Sequence, residues 1–165
     1  MRVTEEKVWM KYYSAEHAHE ELPKCTIYQY LKERNQHRMS STAIHYYGAN
    51  ITFTELLKRI DDAADAFAAL GVKEGDLVSF LSVATPETIT ALYALNKLGA
   101  TVNTIDPRMD IKSISRMIVQ SGSKILLTID MAFPKVKKIM DEIKQDKIIT
   151  VSPATSLPFI KKIAM

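Results

Sequence analysis

The chain has 165 residues, 47% of them hydrophobic and 25% charged, which suits one domain with a buried core and excludes a disordered chain. Its 22 basic and 19 acidic residues give a net charge of +3 with both signs interspersed, which excludes the concentrated positive face of a nucleic-acid or membrane-surface binder. One cysteine, Cys25, excludes an internal disulfide and a cysteine-based zinc set, and no run approaches the roughly 20 apolar residues of a membrane-spanning helix.

Residues 1–25 read as an amino-terminal extension. Arg2, Glu5, Glu6 and Lys7 interrupt its start, so the apolar stretch of a secretory signal is missing and a cytoplasmic location is expected. Residues 26–36 predict a short helix with Thr26 as its cap and Ile27, Tyr30 and Leu31 along one side. Strand-like runs at 43–46 and 50–53 predict a small hairpin, with Gly48 and Asn50 supplying the positive φ of a tight connection. Thr52 then opens a capping box with Glu55, three residues on. Phe53, Leu56, Leu57, Ile60, Ala64, Phe67 and Ala68 recur at helical spacing until Gly71 stops them.

From there the pattern alternates. Strands are predicted at 77–82, 101–105, 124–129 and 147–151, separated by helices at 86–98, 111–120 and 132–144. Short connections between alternating elements predict right-handed crossovers, hence an α/β fold with a mostly parallel, doubly wound sheet flanked by helices. Ile125 to Ile129 is almost continuously apolar, as a strand covered on both faces should be.

Ligands of such sheets sit at the carboxyl ends of the strands, so phosphate-binding glycines belong in the strand-to-helix turns. Here Gly71, Gly75, Gly99 and Gly122 all fall between a helix and the next strand, where they end helices. Ser121-Gly122-Ser123-Lys124 has the wrong flanks for a phosphate loop. His17, His19 and Cys25 lack a fourth metal ligand at a familiar spacing. Lys135, Lys137 and Lys138 read as an exposed helix face balanced by Asp141 and Glu142. Near strand carboxyl ends only Glu87 and Asn103 stand out, and a first-turn carboxylate stabilised by the helix dipole accounts for Glu87. No serine, histidine and carboxylate set suggests a nucleophilic triad. No catalytic, cofactor-binding or metal-binding residue is therefore assigned.

Several stretches together carry a resemblance. They are the hairpin run Ala43-Ile44-His45-Tyr46 to Thr54-Glu55-Leu56, then Leu70-Gly71-Val72 with Gly75-Asp76-Leu77-Val78. Thr85-Pro86-Glu87, Leu98-Gly99-Ala100 and Asp106-Pro107-Arg108 follow in order. This series resembles the amino-terminal portion of the adenylate-forming (AMP-binding) enzymes, in particular acyl-CoA synthetases of the fatty-acid CoA ligase type. The likeness runs from about residue 26 to 151 and consists of scaffold motifs.

The resemblance implies a parent enzyme that joins a fatty or other organic acid to AMP and then to the thiol of CoA, using ATP and Mg. The family's serine- and glycine-rich phosphate loop, its ribose-binding aspartate and its catalytic lysine have no counterpart here, so the chain alone is expected to be inactive and without a cofactor of its own. Residues 26–151 are expected to form an α/β subdomain, and 152–165 to begin a further, truncated segment, because Leu157, Phe159, Ile160 and Ile163 form an apolar series that the chain leaves unfinished. The remainder of the parent chain is the expected partner, and a homodimer the expected state of the piece by itself. The competing reading is a stand-alone α/β interaction or nucleotide-sensing module without catalysis.

Overall fold

The computed structural model describes residues 7–18 and 20–158. Arg2, Glu5, Glu6, His19, Phe159, Ile160 and Ile163, which entered the sequence reading, lie outside the described residues. Two short helical turns, Val8–Tyr12 and Ala15–Ala18, lead into α1 (Ile27–Arg34), whose Thr26 and Gln29 form a capping box. The helix stops two residues before the expected end, because the Asn35 side chain turns back to donate to the Leu31 carbonyl at 2.6 Å.

Strands β1 (Thr42–Tyr46) and β2 (Ala49–Thr52) pair antiparallel, with Tyr46 opposite Ala49. The intervening loop is therefore Tyr47-Gly48, and both residues take positive φ, 50° and 94°, the primed turn whose twist suits a two-residue hairpin. This corrects the expectation for Asn50. That residue lies in β2, where its Oδ1 accepts from His45 Nδ1 at 2.6 Å.

The capping box of Thr52 and Glu55 is present and starts α2 (Phe53–Ala69), whose apolar stripe is buried from Phe53 to Phe67. The main sheet follows as β3 (Leu77–Leu81), α3 (Pro86–Lys97), β4 (Thr101–Ile105), α4 (Ile111–Ser121), β5 (Ile125–Ile129), α5 (Phe133–Ile143) and β6 (Lys147–Val151). All pairings in it are parallel, in the order β4-β3-β5-β6. The helices lie on both faces, as the sequence predicts. One core joins α1, α2 and α3 to Val78, Phe80 and Leu127, and the other joins α4 and α5 to Leu81, Ile105 and Leu126. Every residue of β5 is buried, which explains its unbroken apolar run.

The glycines between helix and strand all have positive φ. Gly99 is the most constrained, since a Cβ there would meet Glu74 Cγ at 2.8 Å, and its carbonyl accepts from the Gly75 amide across the amino ends of β3 and β4. Among the described residues no helix is long and apolar enough to cross a membrane.

Candidate functional site

The strand order places a crevice. After β3 the chain crosses to β4 on one side, then returns past β3 to place β5 on the other, so successive crossovers diverge at the β3–β5 boundary. At the carboxyl end of that boundary lies a cleft of about 520 Å³. Val83 follows β3 into it, Met131 follows β5, Pro153 and Leu157 follow β6, and Tyr46 and Tyr47 reach over it from the hairpin. The walls are largely apolar, and Tyr46 and Tyr47 meet edge to face with ring centroids 4.8 Å apart. Burial, then the charge of Glu87, then Tyr47 raise the Tyr46 pKa, so its phenol keeps its proton.

The turn after β3 is built by hydroxyls. Buried Thr85 accepts from the Thr88 amide at 3.2 Å, Pro86 occupies the first turn of α3, and Ser82 Oγ lies 2.6 Å from Thr88 Oγ1. Glu87 sits in that first turn, as expected, and does more than face the helix dipole. Ser156 Oγ donates to Glu87 Oε1 at 2.5 Å and accepts from Arg59 Nη1 at 2.9 Å, so the segment after β6 is tied to α2 and α3 together. Glu87 Oε2 is enclosed and has no partner among the described residues.

Asn103 does not reach the cleft. Its Nδ2 donates to Ser79 Oγ at 3.2 Å within the sheet, where Ser79 also meets Ser123 Oγ at 2.7 Å. Ser121-Gly122-Ser123 accordingly lies by the amino ends of the strands, with Gly122 closing α4 at φ 69°. Lys135 departs from the exposed-face expectation. Its Nζ donates to the carbonyls of Pro107 at 2.7 Å and Met109 at 2.9 Å, pinning the turn after β4, while Lys137 and Lys138 are exposed. His17 Nδ1 lies 3.3 Å from Glu20 on the surface, Cys25 is exposed, and no group of three metal-type ligands occurs among the described residues.

The amino ends of α4 and of the turn before α5 suit a polyphosphate poorly. Asp110 caps α4, its Oδ1 accepting from the Ser113 amide at 2.9 Å, and Asp130 Oδ1 accepts from the Met131 amide at 2.7 Å ahead of α5. Arg108 holds the Asp106 carboxyl down at about pH 2, and the two form an ion pair within that turn. At α4 and ahead of α5 carboxylates occupy the places where amides and the helix dipole would otherwise receive phosphate, whereas α3, whose end lines the cleft, is capped by the Thr85 hydroxyl. Carboxylates at these two helix ends do not suit the phosphates of ATP. Arg59 and Ser156 escaped sequence reasoning, since Ser156 meets Glu87 from 69 positions away and sits in a turn with no pattern of its own.

A family model of the AMP-binding enzymes matches residues 31–163. The chain belongs to the AMP-binding enzyme family. Among curated relatives, the long-chain-fatty-acid–CoA ligase of Bacillus subtilis (strain 168) is 26% identical over 159 residues, covering 96% of this chain and 28% of the relative. The peroxisomal trans-cinnamate:CoA ligase of Petunia hybrida is 28% identical over 153 residues, covering 88% and 26%. The crystal structure of a long-chain-fatty-acid-CoA ligase from Archaeoglobus fulgidus superposes with a TM-score of 0.74 at 16% identity over 83% of this chain and 30% of that one, which supports the fold. The chain thus spans roughly a quarter of the length of these two relatives, 28% and 26%.

Proposed function

We propose that the chain is the amino-terminal piece of an ATP-dependent acyl-CoA synthetase, with a fatty acid as the preferred class of carboxylate. The parent converts the carboxylate and Mg-ATP to an acyl adenylate and pyrophosphate, then transfers the acyl group to the CoA thiol. In this reading residues 26–151 are the α/β subdomain behind an extension of 1–25, residues 152–165 start the next segment, and the location is cytoplasmic.

The family match over residues 31–163, joined to coverage of only 28% of the Bacillus relative, carries this reading. The carboxylates of Asp110 and Asp130 at the helix amino ends support the further reading that the piece alone is inactive. The test is carboxylate-dependent exchange of labelled pyrophosphate into ATP by the purified chain, across fatty and aromatic acids. No exchange is expected, and exchange above background overturns the inactivity. Saturable ATP binding without turnover favours the second reading, a nucleotide-sensing module.

A further inference from the structure

The turn that follows β6 stands between two cavities. Beneath α2 the sheet is open over β6, where Ile149 and Val151 are only half-buried, and a groove of about 390 Å³ lies there between Ala63 of α2 and Ala91 of α3. The cleft of about 520 Å³ under Tyr46 and Tyr47 lies on the other side. Thr155 lines the groove, whereas Pro153, Ala154 and Leu157 line the cleft. One short turn therefore supplies a wall to each.

Little apolar packing holds this turn. Of residues 152–158 only Ser156 is buried, while Pro153 and Leu157 are half-buried. Its backbone closes through the Thr155 amide on the Ser152 carbonyl at 3.0 Å and the Leu157 amide on the Ala154 carbonyl at 3.1 Å, both within the turn itself. What fastens it to the rest of the molecule is the Ser156 hydroxyl, which donates to Glu87 Oε1 at 2.5 Å and accepts from Arg59 Nη1 at 2.9 Å. Hydrogen bonds to charged partners are the stronger kind. Among the described residues no direct ion pair joins Arg59 to Glu87, so the serine mediates between them. Glu87 lines the groove and its charge reaches Tyr46 in the cleft, which puts the anchor point at the boundary of the two spaces.

We propose that Ser156 is a positioning residue that latches the turn of residues 152–157 as a partition between the cleft and the groove. With the hydroxyl engaged the two cavities are separate. With it disengaged the turn loses its one buried anchor, and the cavities merge into a single apolar trough. No charged side chain lines the cleft, so the molecules that would sense this change are neutral and apolar. A molecule held in the cleft alone is indifferent to the groove, whereas one admitted after release touches both.

The test compares the 165-residue chain with its Ser156→Ala variant. Amide hydrogen exchange from Ala154 to Leu157 should quicken about tenfold or more, while the amides of β5 keep their protection and so report an intact fold. Where Ser156→Ala costs β5 its protection, Arg59→Met, which removes the guanidinium and keeps an apolar stem, should quicken the same amides instead. The second readout is binding of the neutral dye Nile red, which a merely structural serine would not redirect. Ala63→Trp, a change inside the groove, should leave dye affinity unaltered while Ser156 is present and lower it about tenfold once the latch is released. The proposal is overturned if exchange in the turn is unchanged in the variant that keeps β5 protected. It is equally overturned if Ala63→Trp affects dye binding to the same extent with the latch intact and released.

Discussion

The two faces of the sheet are held by different means. Under α4 and α5 the face is sealed, with Ile114, Ile118, Leu126 and Val136 fully buried. Under α1, α2 and α3 it is closed in part by polar ties. Tyr28 OH and Lys97 Nζ each donate to Asp61 Oδ1 at 2.7 Å, and Arg59, Ser156 and Glu87 form the second tie beside the open groove. Apolar packing suffices where the helices cover the strands. Where cover is incomplete, hydrogen bonds between distant segments hold the helices and the exit strand in place.

Core truncation gives the widest separation between the faces. Ile114→Ala on the sealed face should cost about 2–5 kcal/mol in urea unfolding. Ile149→Ala, already half-exposed on the open face, should cost about 1 kcal/mol. Equal losses would erase the distinction. A smaller effect should appear in alkali. Burial, then the hydrogen bond and charge of Asp61, push the Tyr28 pKa from 10.0 up to about 12. The unfolded chain therefore releases this proton first, so stability is intact below pH 10 and declines as pH rises toward about 12. Tyr28→Phe should flatten that decline in pH-resolved melting curves, whereas an unchanged slope would place the loss elsewhere. The smallest effect is spectroscopic. Glu87→Gln removes one cause of the raised Tyr46 pKa and should shift part of the phenolate absorbance titration to lower pH. No shift would mean that burial and Tyr47 hold it up without Glu87.

Much of the architecture was legible because local chemistry and tertiary packing agree. The cap at Thr26 and the capping box at Thr52 start helices in both sequence and structure, and the unbroken apolar run of β5 reports its central position. The order of the strands was not legible, because alternation fixes direction and leaves neighbours undetermined. Asn50 misled because glycine and asparagine share a tolerance for positive φ, while the register of β1 and β2 gave that duty to Tyr47. Lys135 read as a solvated cation because its partners are main-chain carbonyls, which have no signature in a sequence. Glu87 was noticed for its place in a helix's first turn, but the guanidinium and hydroxyl that engage it come from elements far along the chain.

The strand order also bears on assembly during synthesis. β4 joins one flank of β3, β5 takes the other, and β6 extends β5, so each newly made strand meets a flank that is already exposed. None has to wedge between two strands that have already zipped together. A nascent chain can therefore build this layer outward on either flank of β3 while the ribosome is still translating.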